Sequence, residues 1–395
     1  MSTATTLIAW ALALAAILPL AVFTLEVTIG LFGTRRGGPA PAGRRVAVLI
    51  PAHDEAAGIG ATLEALRAVA PLGTRVLVVA DNCSDDTAAV ARAHGAEVAE
   101  RHDAAARGKG YALAFGRDRL ADGPPLDVVI VLDADCRLAP GSVEALAQAC
   151  ADGSGRPAQS INLIAPDPDA SPMTQISGFA MLVKNLYRSR GMQRMGGAAL
   201  LTGTGMAFPW PVFAGASLAS GSLVEDLGLG IALTRAGHAP RLIETAGVSS
   251  APPPDSVALV QRTRWEHGFL DTVRRSALPL LGSGLRRGAL AEMLLALHLL
   301  VPPLALLLMA AGGVLFVTGL LHLLGASLAP VAAVAIALGT TLLVTFVAWL
   351  HGGRPWLRPG ALLRAPLYVL WKLPIYLGFL RRRETEWRRT PRAGE

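Results

Sequence analysis

Apolar positions follow two regimes along this chain. Leu7–Phe32 is an almost unbroken apolar run, long enough to cross roughly 30 Å of hydrocarbon. Two further runs lie toward the other end: Ala291–Leu324, interrupted by Pro302 and Pro303, and Leu328–Leu350. Between them the apolar stretches shorten to strand length and alternate with segments of helical spacing. Arg45–Pro51 (RVAVLIP), Arg75–Ala80 (RVLVVA), Glu97–Glu100 and Asp127–Leu132 read as strands, and Gly58–Val69, Asp85–Ala93 and Gly110–Ala121 as helices. Continuously apolar strands suit a parallel sheet covered on both faces. The pattern therefore predicts a membrane helix over 5–33, an α/β domain over 45–275 and two membrane helices over 290–350. A membrane-associated segment over 361–380 and a basic tail over 381–395 complete it.

The first run reads as a retained helix. No basic segment precedes it, and it exceeds the usual apolar core of a cleaved signal. Arg35, Arg36, Arg44 and Arg45 follow it, and positive charge marks the cytoplasmic side. The link HLLGASLAP carries no Lys or Arg, whereas Arg354, Arg358 and Arg364 follow the third run. The expectation is a multi-pass protein of the inner (plasma) membrane, with its N-terminus outside and the α/β domain cytoplasmic. Glu26, near the far end of the first helix, would reach the interface or face another helix. ALLRAPLYVLWKLPIYLGFLRRR contains Arg364, Lys372 and two prolines. It reads as an interfacial helix, with Tyr368, Trp371 and Tyr376 at headgroup depth, in preference to a fourth span.

Composition agrees. At 52% hydrophobic and 16% charged, the chain is too apolar for an ordinary soluble domain. A net charge of +7 admits nucleic acid or membrane partners. The arginines cluster beside apolar runs and no basic, aromatic-rich groove pattern occurs, so membrane lipids are expected and nucleic acid is not. Cys83, Cys136 and Cys150 have neither CxxC spacing nor histidine partners and read as reduced small hydrophobes.

Candidate chemistry gathers where the predicted strands end. The first ends in PAHDE (Asp54, Glu55), the second in DNCSDDT (Asp81, Asn82, Asp85, Asp86) and the fourth in DADC (Asp133, Asp135). Part of this is helix capping, which Ser84–Asp86 would supply. Yet ligands of parallel sheets bind beyond the carboxyl ends of the strands. Acids there repel one another and repel phosphate. A divalent cation bridging carboxylate and diphosphate oxygens resolves the conflict. Residues i and i+2 of an extended chain point the same way, so the fourth strand would aim Asp133 and Asp135 at one cation.

PAHDE, DNCSDDT, RGKGYAL, VLDADC, GTG, VEDLGLGIALTRAG and QRTRW occur in the order found in family 2 glycosyltransferases of the GT-A fold, which the chain resembles over about Val46–Trp265. The likeness is greatest to membrane-embedded members, the group of the cellulose, hyaluronan and chitin-type synthases. It implies a Rossmann-like, mostly parallel α/β domain. It also implies that Asp54, Glu55, Asp81, Lys109 and Asp133 bind a nucleotide-sugar, and that Asp135, with Asp133, holds Mg²⁺ or Mn²⁺. Glu225 and Asp226 match the Glu-Asp pair, Asp226 as the base that takes the acceptor proton. Val224 stands where Thr is common, which removes a hydroxyl beside the acceptor. Helix capping is the competing role for the pair. Gln261, Arg264 and Trp265 match QxxRW, the Arg pairing with the departing diphosphate and the Trp offering a flat face to a sugar. Interfacial anchoring is the alternative for that motif. GTG is read either as a plain tight turn or as a turn near the acceptor, and His267 as structural.

The expected activity is inverting transfer of a sugar, UDP-linked by preference, to a lipid-linked or glycan acceptor in envelope or exopolysaccharide synthesis. Three alternatives stay open: a processive synthase coupled to extrusion, a non-catalytic membrane scaffold, and a transporter, which so large a polar α/β domain with so few spans disfavours. Homo-oligomerisation is also left open, since a small bundle would need partners to line a channel.

Overall fold

A computed structural model describes residues 3–33, 43–222, 224–252 and 255–381. Arg35, Arg36 and all but the first residue of the expected tail lie outside them. The chain divides into two units. One comprises Met1–Gly33, Pro166–Gly197 and Leu270–Glu384; the other comprises Thr34–Ala165 and Ala198–Phe269 together with the last eleven residues. The segment Pro166–Gly197 thus groups with the apolar helices, although it interrupts the α/β sequence.

The second unit is built on an eight-stranded sheet. Its strands are β1 (Val46–Ala52), β2 (Arg75–Asp81), β3 (Glu97–Arg101), β4 (Val128–Val131), β5 (Cys136–Leu138), β6 (Ala158–Ile164), β7 (Met206–Pro209) and β8 (Arg241–Ser250). Their spatial order is β3-β2-β1-β4-β7-β6-β8-β5. The first four pair in parallel, and β1, β2 and β4 carry the continuous apolar runs that suit such a sheet. Beyond β4 the sheet is mixed: β7 runs antiparallel to β4 and β6, β8 parallel to β6, and β5 antiparallel to β8.

Strand alternation accounts for the filling of both faces. Val46, Val48 and Ile50 of β1 pack with Ile59, Leu63 and Leu66 of the helix Ile59–Val69. Ala47 and Leu49 pack with Leu113 and Leu120 of the helix Lys109–Ala121 on the opposite face. β1 is therefore clamped between two apolar layers, and its acids appear only where it leaves the sheet.

In the first unit, Thr3–Gly30, Leu304–Leu323 and Ala329–Gly353 are long and apolar enough to cross a membrane. Twenty residues at about 1.5 Å each reach roughly 30 Å. Pro302 and Pro303 separate the second of these from the short apolar helix Leu290–Leu299. Glu26 faces inward, not toward an interface: it is 1% exposed. Arg188 Nε donates to its Oε2 at 2.7 Å, and His298 Nδ1 lies 2.7 Å from Oε1.

The stretch read as one interfacial helix is three short ones, Pro359–Leu362, Ala365–Trp371 and Leu373–Arg381. None is long enough to span a bilayer. Its aromatic face is also turned the other way from the expectation. Tyr368, Lys372 and Tyr376, spaced four apart in sequence, are buried, whereas Leu363, Leu367, Leu370, Leu373 and Leu377 are exposed.

Candidate active site

The parallel order β2-β1-β4 sets the ends of three acid-bearing strands side by side. At the β1 end, Asp54 takes a left-handed backbone (φ 52°). Its carboxylate accepts from Ser84 N at 2.6 Å and from Ser84 Oγ. Asp85 accepts from Ala56 N and Thr87 N, and Glu55 N donates to Thr87 Oγ1. Asp54 and Asp85 thus brace the β1 and β2 loops against each other. Non-glycine residues hold such backbone only when neighbours fix them, and they cluster at functional sites.

Asp81, the last residue of β2, is buried. Arg101 Nη1 donates to its Oδ1 at 2.7 Å and Asn82 Nδ2 does so at 3.0 Å. Arg101 also pairs with Asp103 and lies over the Tyr111 ring. The motif reading missed Arg101. The β2–β3 register sets it directly opposite Asp81, and the available signal was an arginine closing the third strand just where an aspartate closes the second.

The DADC segment departs from the expected geometry while reaching the same result. The chain does not continue extended. Cys136 N donates to Asp133 O at 3.1 Å, closing a four-residue turn with Ala134 and Asp135 at its corners. The turn, not strand alternation, converges the side chains: ligand atoms of Asp133, Asp135 and Cys136 all lie within 4.8 Å of one another. Thr62 Oγ1 holds the turn from behind by donating to Ala134 O at 2.6 Å.

Lys109, the first residue of its helix, reaches across to this turn. Its Nζ hydrogen-bonds Asp133 Oδ1 and donates to Gly203 O at 2.7 Å. Burial alone would lower its pKa, but the charges of Asp133 and Glu225 outweigh burial and hold the ammonium well above its usual value.

GTG is the bracket that assembles these groups. Gly203 has φ +84°, and a Cβ there would lie 3.3 Å from both Asp226 Oδ2 and Lys109 Nζ. A side chain at 203 would be strained and would wedge the two charges apart. Asp133 N donates to Thr204 Oγ1 at 3.1 Å. Gly205, at φ +62°, leaves room for Ser160 and Val248.

Glu225 and Asp226 open the helix Glu225–Arg235. Leu227 N donates to Asp226 Oδ1 at 2.8 Å inside the first turn, whose N-cap is Val224, while Asp226 Oδ2 faces Gly203. Burial and then the Asp226 charge push the Glu225 carboxyl up to about 7, Lys109 acting against them. Arg264 lies near enough for the Glu225 charge to oppose the lowering that burial imposes on its guanidinium. Gln261 is half-buried, Trp265 is 41% exposed and His267 is buried. The structure therefore gathers Lys109, Asp133, Asp135, Gly203, Glu225, Asp226 and Arg264 into one region, and sets Asp54 and Asp81 at the adjoining strand ends.

A Rossmann-like domain whose fourth strand runs into an Asp-x-Asp turn has the architecture of the GT-A glycosyltransferases. Residues 41–268 match the family described as "Glycosyltransferase like family 2", more than half of the chain, and the chain belongs to that family. Uncharacterized glycosyltransferases of Mycobacterium bovis and Mycobacterium tuberculosis are each 37% identical to it over 105 residues, which is 27% of this chain and 43% of theirs. The aligned stretch thus spans less than half the length of these curated relatives. A mannosyltransferase from Pyrobaculum calidifontis, solved with GDP-Man and Mn²⁺, superposes with a TM-score of 0.58 at 17% identity, covering 93% of this chain and 99% of that one. At that identity the likeness is one of fold.

Proposed function

We propose that the protein is a membrane-bound inverting glycosyltransferase that moves a sugar from a nucleotide-sugar, UDP-linked by preference, to a hydroxyl of a lipid-linked or glycan acceptor. Its catalytic unit is cytoplasmic, its three long apolar helices span the inner membrane, and the leucine stripe of Pro359–Arg381 lies in the interface. The observation that carries this reading is the convergence on Gly203 of the ammonium bound to Asp133 and the carboxylate of Asp226. Donor-side and acceptor-side chemistry meet at one glycine.

The residues fit a hard divalent cation. Asp133 and Asp135 offer carboxylate oxygens within 4.8 Å of each other. The third nearby donor, Cys136, is buried, and its thiol donates to Asp135 Oδ1 at 3.5 Å. Oxygen donors without a thiolate suit Mg²⁺ or Mn²⁺. Bound there, such an ion supplies Lewis-acid stabilisation of the leaving diphosphate. Arg264 adds positive charge where negative charge develops. Asp226 takes the proton of the attacking hydroxyl, and a single displacement inverts the anomeric centre. Asp54 and Asp81, with Arg101 fixing Asp81, form the nucleoside end.

Purified full-length protein incubated with UDP-, GDP- and dTDP-sugars and native lipids should transfer one of them. Transfer should stop in EDTA and return with Mn²⁺ or Mg²⁺. EDTA-insensitive turnover overturns the metal assignment, and long products overturn single transfer in favour of the processive alternative.

The acid pair sets an expected pH dependence. A proton retained by Glu225 and Asp226 blocks the base, so kcat/KM should rise with pH through about 7, the pair titrating as a unit. Stability runs the other way. The folded chain still holds this proton between the ordinary Glu value of 4.5 and about 7, where the unfolded chain has lost it, so the contribution falls as pH rises across that window. Glu225→Gln should remove that fall and move the acid limb to lower pH; pH-rate and pH-melting profiles unchanged in the variant would dismiss the assignment.

A further inference from the structure

We infer that Lys109 is the resting counter-cation of the metal site, and that a divalent cation enters by displacing its ammonium from Asp133. The inference rests on the metal reading given above and adds an exchange to it. Asp133 is one of two carboxylates whose oxygens converge at the turn. The Oδ1 of Asp133 already carries the Lys109 ammonium. The lysine side chain is only 19% exposed, with its ammonium set against Asp133. It faces Asp133, Glu225 and Asp226, three acids that would otherwise repel one another across the site. A dication arriving at Asp133 and Asp135 meets a positive charge bound to one of its own ligands. The dication and the ammonium therefore compete for the charge of one carboxylate.

The ammonium has a second anchor. Lys109 Nζ also donates to Gly203 O at 2.7 Å, and Gly203 has no Cβ to separate it from Asp226. Release from Asp133 therefore leaves the ammonium on Gly203 O, beside the carboxylate assigned to the acceptor proton. Metal entry would thus move positive charge from the donor half of the site toward the base. Lys109 acts here as a positioning residue for the metal and for Asp226.

The test needs neither donor nor turnover. Mn²⁺ binding to the purified full-length protein in detergent is followed by the electron paramagnetic resonance of free Mn²⁺. Lys109→Gln should bind Mn²⁺ about tenfold more tightly than wild type, the factor given by two charges facing one across roughly 6 Å with water-like screening. Lys109→Arg, which keeps the charge, should stay near wild type. Binding by wild type with equal or weaker binding by Lys109→Gln overturns the exchange and leaves the metal reading intact. Absence of Mn²⁺ binding in both overturns the metal reading and the exchange with it. Binding by Lys109→Gln alone supports the exchange in its strongest form. A second measurement uses only the wild-type chain, in case the variant does not fold. Reductive methylation read by mass spectrometry should label Lys109 severalfold more in Mn²⁺ than without it, because a lysine freed from its carboxylate loses its proton more readily. Unchanged labelling at saturating Mn²⁺ overturns the exchange.

Discussion

Asp226→Asn should lower kcat by about a thousandfold, within the range by which a positioned general base accelerates proton removal. The substitution is nearly isosteric. Its amide oxygen still accepts from Leu227 N, the bond that Asp226 Oδ1 takes at 2.8 Å, so the first turn of its helix should survive. What is lost is the capacity to take a proton at the atom facing Gly203. Donor binding, which depends on the strand ends across the site, should stay close to wild type. Single-turnover measurements with saturating nucleotide-sugar separate the two effects. Turnover at an undiminished rate would remove Asp226 as the base and leave Glu225, with its raised pKa, as the neighbouring candidate.

The second large effect concerns the membrane unit. Glu26→Leu should cost about 3–5 kcal/mol, the usual penalty for removing one partner of a buried ion pair. Arg188 is 5% exposed and carries a positive charge. Without Glu26 it keeps His298 O at 3.2 Å and the Phe23 ring, neither of which is anionic. Glu26→Gln retains a hydrogen-bond acceptor and should cost less. Thermal unfolding of the detergent-solubilised protein measures both. Equal melting temperatures for Glu26→Leu and wild type would show that the triad contributes no stability.

Much of this architecture is legible in local sequence, for identifiable physical reasons. A strand covered on both faces must be apolar at successive positions, so β1, β2 and β4 announce themselves. An apolar run of membrane length would be costly to leave in water, so the helices Thr3–Gly30, Leu304–Leu323 and Ala329–Gly353 stand out as well. The acids are legible because polar residues directly after such strands have nowhere to go but the sheet edge. Less visible is whatever depends on two distant segments meeting. Arg101 looks like an ordinary strand-end cation until the register sets it on Asp81. Tyr368, Lys372 and Tyr376 look like headgroup ligands until packing buries them and turns the leucines out.

The DADC turn marks the boundary between the two kinds of information. Its residue types and its place after an apolar strand are local facts, and they suffice to nominate two carboxylates and a cation. That the carboxylates converge through a closed turn depends on Thr62 and Thr204, which come from segments some seventy residues away on either side. The partner of Asp133 is likewise a tertiary outcome, since Lys109 reaches it only because its helix packs on the sheet. Residue chemistry and strand period are written position by position. Charge pairing and burial are set by which surfaces the folded chain brings together, and neighbouring residues carry little of that.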